Sequence, residues 1–194
     1  MSYTTIVRRL FWVAIALLGV SRTFHAQEME VPIEVQFPLL LKVLAFDRSL
    51  KTRVGEEIVI GIVYQEKFRA SLNVKDEVEA LAGMISPRTI QDVPFRTVAI
   101  DLASPRFRDI LADQGVDILY VAPLRAVGVE EIAAISRERR LTTLSGVPDY
   151  VEKSLAVGVG IKGEKPMILI NLPAARAEGA NFSSQLLKLA KVIE

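Results

Sequence analysis

Ser145 lies in the stretch LTTLSGVPDY, after a short strand-like run and directly before Gly146. A serine at the carboxyl end of a strand can attack a carbonyl only if a neighbouring base takes its proton. The chain has no cysteine and one histidine, His25. Thiolate nucleophiles, disulfides and thiolate metal sites are therefore excluded. A Ser-Lys pair would need a buried lysine, and the pattern marks none. Ser145 reads first as a turn-capping serine. With Thr143 and Arg125, on loops expected at the same sheet edge, it also forms a candidate ligand-contact set. Ligands of open α/β sheets bind outside the carboxyl ends of the strands.

Gly158, Gly160 and Gly163 match the spacing G-x-G-x-x-G. A dinucleotide site needs a helix to open inside that motif, because the helix N-terminus holds the pyrophosphate. Here Lys162, Gly163 and Pro166 lead into another strand, so the match is coincidental. Glu164 stands where a nucleoside-triphosphate loop would need lysine. The pairs Glu56-Glu57 and Glu130-Glu131 are adjacent in sequence and so do not share one face of a helix or strand. They read as solvated surface. No acidic run has calcium-loop spacing. The expectation is no catalytic residue, no metal and no cofactor, hence a protein that is not an enzyme.

The first 26 residues stand apart from whatever fold positions these groups. Arg8 and Arg9 precede an apolar run from Leu10 to Val20, followed by a polar region. That is the layout of a cleavable signal peptide, and the run is too short to span a bilayer comfortably. Cleavage is expected after Ala26, or after Ser21. Removing residues 1–26 takes Arg8, Arg9, Arg22 and the lone histidine from a chain of 24 basic and 23 acidic residues, turning a net charge of +1 into about −2. A mildly acidic exported chain has no electrostatic case for nucleic acid.

The 194-residue chain is 51% hydrophobic and 24% charged, and residues 27–194 are long enough for one globular domain. After a loose lead-in, the spacing predicts a helix over 37–52, with Pro38 in its first turn. EEIVIGIVY contains a strand over 58–64, apolar on both faces. A helix follows over 66–84, with a break near Asn73, a stop at Gly83 and Phe68, Leu72, Val78 and Leu81 inward. Further strands are expected over 95–102, 116–123 and 141–146. Between them lie a helix capped by Ser104 and ended by Gly115, and a helix whose Glu130, Glu131 and Arg137, Arg139, Arg140 complement its dipole. Alternating strands and helices imply a parallel sheet with right-handed crossovers. Lys162-Gly163-Glu164-Lys165 joins two apolar runs as a hairpin. The expected fold is thus α/β, a three-layer Rossmann-like mixed sheet, mostly parallel with an antiparallel C-terminal hairpin.

The last stretch, ILINLPAARAEGANFSSQLLKLAKVIE, reads as a strand, a helix opened by Pro173 and stopped by Gly179, and a second helix capped by Asn181 or Ser183. Phe182, Leu186, Leu189 and Ile193 lie at helical spacing, as a core stripe. Ile170-Asn171-Leu172, Ala174-Ala175 with Gly179, and Ser183 to Ala190 resemble the C-terminal signature of the YfiR-like (YfiR/HmsC) family of small exported bacterial proteins. EEIVIGIVY, VDILYVAP and LTTLSGVPDYVEK agree more loosely. The family's common cysteines are absent.

The resemblance implies a non-enzymatic periplasmic regulator. It implies binding to the periplasmic sensor region of an inner-membrane diguanylate cyclase, held inactive until envelope or redox stress, with an effect on biofilm formation. A sensor histidine kinase is the other partner the resemblance implies. A second copy of the chain stands as a further partner. The alternative is a periplasmic small-ligand module, built on the loops of Arg125 and Ser145 and working with a kinase or transporter.

Overall fold

The structure, a computed structural model, describes residues 29–126 and 128–194; the expected signal peptide lies outside them. Eight strands form one sheet: β1 (Ile58–Tyr64), β2 (Thr89–Ile90), β3 (Val93–Asp101), β4 (Ile118–Val121), β5 (Thr142–Ser145), β6 (Val157–Lys162), β7 (Lys165–Asn171) and β8 (Lys191–Ile193), in the order β2-β3-β1-β4-β5-β6-β7-β8. The stretch from β3 to β6 is parallel, β7 runs antiparallel to β6, and β2 antiparallel to β3. The helices are α1 (Ile33–Leu44), α2 (Leu50–Arg53), α3 (Arg69–Met84), α4 (Phe107–Asp113), α5 (Val129–Arg139), α6 (Pro148–Lys153), α7 (Leu172–Ala177) and α8 (Ser184–Leu187). The α/β, mostly parallel mixed sheet with its C-terminal hairpin is as expected.

The period-2 alternation of strand side chains divides the apolar residues between two cores. Ile58, Ile60 and Ile62 of β1 and Ile118 and Tyr120 of β4 face Phe37, Leu40 and Leu44 of α1 and Val74 and Val78 of α3. Val59 and Val63, with Leu119 and Val121, face Phe107 and Leu111 of α4 and Ile132 and Ile135 of α5. The sheet is the middle of three layers. Phe37 meets Tyr120 edge-to-face at 5.9 Å, a geometry the ring quadrupoles favour.

Several boundaries differ from expectation. The first helix begins at Ile33, so Pro38 sits inside α1 rather than in its first turn, and the helix ends at Leu44 instead of running on to Thr52. It ends because residues 45–48 turn to meet the C-terminal segment: Asp47 pairs with Phe182 in an isolated bridge. Helix α3 passes Asn73 unbroken, and Gly83 lies within it rather than stopping it. Its buried side chains are Ser71, Val74, Val78 and Ala82, one turn-to-turn stripe. The unforeseen β2 is joined to β3 by Gln91 and Asp92, both at positive φ, the backbone of a two-residue hairpin turn.

The end of the chain departs most. Ser183 caps α8 through a 3.3 Å bond from the Leu186 N–H. After one turn the chain leaves the helix and forms β8 beside β7. Leu189, expected in the core stripe, is 72% exposed. Val192 and Ile193 are β-branched, and the open edge of β7 supplies them a ladder that a helix could not.

Two of the three glycines that imitate a nucleotide motif, Gly158 and Gly163, are required by the fold. A Cβ on Gly158 would lie 2.5 Å from Val151 and 2.9 Å from the Ser145 carbonyl. Gly163 takes φ +64 in the hairpin turn, where a Cβ is disfavoured.

Candidate functional site

Strands β3 and β4 flank β1 on opposite sides. The winding of the sheet therefore reverses at β1, and the crevice at the carboxyl ends of β1 and β4 is the position where such sheets bind ligands. Gln65, the first residue after β1, bridges it. Its Nε2 donates to the Arg125 carbonyl at 3.1 Å and its Oε1 accepts from the Arg125 N–H at 2.7 Å. The two bonds make an amide clamp across the switch point. The Gln65 N–H in turn donates to Ser71 Oγ at 3.0 Å, tying the clamp to α3. Next to it the Leu124 N–H donates to the Tyr150 hydroxyl at 2.7 Å. Burial pushes the Tyr150 phenol up to about 12, so it stays neutral and keeps its hydrogen bonds.

Ser145 is fully buried on the same edge. Its hydroxyl donates to the Val121 carbonyl at 2.9 Å and accepts from the Val147 N–H at 3.1 Å. It staples β4 to the turn before α6. Arg125 is exposed, with its backbone held by Gln65. Arg125 and Ser145 thus share the carboxyl edge. Thr143 does not join them: it lies toward the amino end of β5, fully buried.

At that amino edge is a polar assembly. The Glu178 carboxylate, 0% exposed, accepts from the Thr143 N–H at 2.8 Å and from the Thr143 hydroxyl, and lies 3.0 Å from Ser136 Oγ. The Thr143 hydroxyl oxygen accepts from the Ala156 N–H at 2.7 Å. Burial pushes Glu178 up to about 7, against the lowering effect of its bonds from Thr143 and Ser136. The Ser136 hydroxyl, which also lies 2.9 Å from the Ala133 carbonyl, donates to the Glu178 carboxylate at 3.0 Å.

Beside it, fully buried Asp47 accepts from the N–H groups of Ser49 and Asn181, the Ser49 hydroxyl, and Arg53 Nη2 at 2.7 Å. Arg53 also donates to Thr142 Oγ1 at 3.0 Å and to the Arg140 carbonyl at 3.0 Å. The assembly joins residues 47–53, the α5–β5 junction and residues 178–181. Three chain segments distant in sequence are bonded through the polar atoms of seven side chains, Asp47, Ser49, Arg53, Ser136, Thr142, Thr143 and Glu178, and a charge buried without such partners would be strongly destabilising.

Sequence reasoning did not single out Gln65, Asp47, Arg53 or Glu178. Asp47-x-Ser49 is a local turn signal that could have found Asp47. Glu178 directly precedes the helix-stopping Gly179, where a solvated acid is the ordinary reading. Among the described residues no group of three or more His, Cys, Asp or Glu could hold a metal ion. No helix among them is long and apolar enough to cross a membrane.

A family profile described as YfiR/HmsC-like matches residues 45–191. The chain belongs to the YfiR/HmsC-like family. Members are known as periplasmic regulators, and the match spans every strand of the sheet, β1 to β7 in full. No curated protein matches the chain. Among solved structures, the fold is similar to the ABC domain in complex with L-Trp from Streptococcus pneumoniae, at 15% identity and TM-score 0.54, covering 79% of this chain and 61% of that one. It is similar to a ligand-free, open substrate-binding protein with adhesive properties from Clostridium difficile, at 15% identity and TM-score 0.52, covering 75% and 57%. It is also similar to a conserved domain protein from Vibrio cholerae, at 14% identity and TM-score 0.56, covering 84% and 60%. This YfiR/HmsC-like chain spans about three-fifths of the length of each. At these identities the likeness is one of fold.

Proposed function

We propose that this protein is exported by residues 1–26 and acts in the periplasm as a non-enzymatic regulator. In this reading it docks on the periplasmic sensor region of an inner-membrane diguanylate cyclase and represses it. The family match over residues 45–191 carries the reading. The geometry supports it: the hydroxyls of Ser145 and Thr143 are spent inside the fold, which suits a rigid body that acts through its surface. The test is cellular cyclic-di-GMP with and without the gene. Deletion raises it, and the exported form restores it where a form lacking residues 1–26 does not. An unchanged level on deletion overturns the cyclase reading and directs the search to a sensor kinase.

The Gln65 clamp supports a second reading. It closes the switch-point crevice with a neutral amide that a ligand could displace, and Arg125 stands exposed beside it. Two of the similar structures are, by their descriptions, a domain holding L-Trp and a substrate-binding protein. A small anionic ligand contacting Arg125, with Ser145 and Thr143 fixing β5 from within, would raise the melting temperature by linkage. Loss of that rise in Arg125→Ala supports this reading, and an equal rise in both forms removes it.

A further inference from the structure

Among the described residues, strand β8 pairs with Leu169, Ile170 and Asn171 of β7. The first half of β7, residues 165–168, therefore has β6 on one side and, among the described residues, no strand on the other. Beside that uncovered half lies a groove of about 790 Å³, whose apolar lining includes Met167 and Leu189 and whose charged lining is Lys162, Lys165, Lys188 and Lys191. Lys191 is paired with Glu152 at 3.0 Å. Among the described residues, no carboxylate stands within ion-pair distance of Lys162, Lys165 or Lys188.

Lysines and a proline on a sheet edge normally keep other strands away, and Pro166 and Lys165 fit that role. The same charges discriminate rather than merely repel when the incoming strand is acidic. A concave wall, an open strand edge and an exposed Leu189 suit an extended chain segment.

We propose that this groove docks an extended acidic segment of a partner protein, added along the uncovered half of β7, with an apolar side chain set against Met167 and Leu189. Strand addition supplies main-chain hydrogen bonds, and the alternate side chains supply specificity. This deepens the docking-regulator reading and rests on it only for the partner's being a protein.

The test uses the purified full chain and two fluorescent eight-residue peptides, one alternating Glu and Val and one alternating Lys and Val. Fluorescence anisotropy is read at low and high salt. The acidic peptide binds, binding weakens with salt, and the basic peptide does not bind. Lys165→Glu/Lys188→Glu weakens binding at least tenfold, while Arg69→Glu, at the start of helix α3, leaves it unchanged; melting curves confirm that both variants fold. Equal binding of the two peptides, or no effect of the lysine reversal, overturns the proposal. So does lysine-dependent co-sedimentation with phosphatidylglycerol vesicles without peptide binding, which would assign the patch to anionic lipid. If the peptide fails while deletion of the gene still raises cyclic-di-GMP, the groove falls and the regulator reading stands. If the peptide binds through the lysines while cyclic-di-GMP is unchanged, the groove stands and the cyclase reading falls.

Discussion

Charge is treated in opposite ways at the amino edge of the sheet and along β7. At the amino edge, Asp47 and Glu178 are fully buried, and every polar atom of their carboxylates has partners drawn from three distant segments. Along β7, Lys162, Lys165 and Lys188 stand exposed with no ion-pair partner among the described residues. Removing a charge from water is costly, so a buried one survives only where the fold brings partners to it. An exposed charge carries no such cost and remains available to attract something outside the molecule. The first region is therefore expected to govern stability, the second binding.

The comparison breaks first at Asp47 and Arg53. Arg53→Met leaves the buried Asp47 carboxylate without its guanidinium, and urea unfolding should show a loss of about 3 kcal/mol. A loss below about 0.5 kcal/mol, the ordinary surface value, would mean that the backbone N–H groups of Ser49 and Asn181 suffice alone.

Glu178 sharpens it through pH. Its ordinary value is 4.5, and the folded chain raises it to about 7. The folded state thus holds the proton more tightly than the unfolded state. Stability from this group is fully present below about 4.5, falls as pH rises through the window to about 7, and is flat above it. The swing is on the order of 3 kcal/mol. Denaturation at pH 4.5, 6 and 8 should show the fall in the native chain. Glu178→Gln, neutral throughout, should flatten that part of the profile; an unchanged slope would place the titration elsewhere.

A smaller effect is expected at the carboxyl edge. Gln65→Ala removes both bonds of the clamp on Arg125, worth about 1 kcal/mol. Hydrogen exchange at the Arg125 amide should quicken while exchange in β4 stays slow. Smallest of all is Lys165→Glu/Lys188→Glu: its unfolding free energy should stay within about 0.5 kcal/mol of the native chain. A large loss there would make these lysines part of the fold and erase the contrast between the two regions.

Much of this architecture was legible in the residues. The doubly apolar run 58–64 gave β1 with its bounds unchanged, because a strand buried on both faces leaves no polar position to confuse the period. Lys162 to Lys165 gave the hairpin, since Gly163 supplies the positive φ the turn needs. Ser183, one of the two caps expected for the last helix, was legible because a side-chain oxygen beside a helix start has a local target.

The rest depended on neighbours that the local sequence does not name. Phe182, Leu186, Leu189 and Ile193 keep helical spacing, yet the chain turns into β8 because β7 offers an open edge, a fact about another segment. Thr143 and Ser145 sit two residues apart, so alternation predicts a shared face. Their spacing along β5 nevertheless sends one hydroxyl to Glu178 at the amino edge and the other to Val121 at the carboxyl side. Glu178 alone reads as a solvated acid at a helix end; only the packing of α5, β5 and α7 takes it out of water. Periodicity and turn chemistry act over a few residues, so the residues alone specified the alternation of the central strands and helices, the C-terminal hairpin and the family resemblance, but not β2, β8 or α6. Tertiary structure alone decided which charges are buried and which are left free, because desolvation depends on every segment that closes over a group.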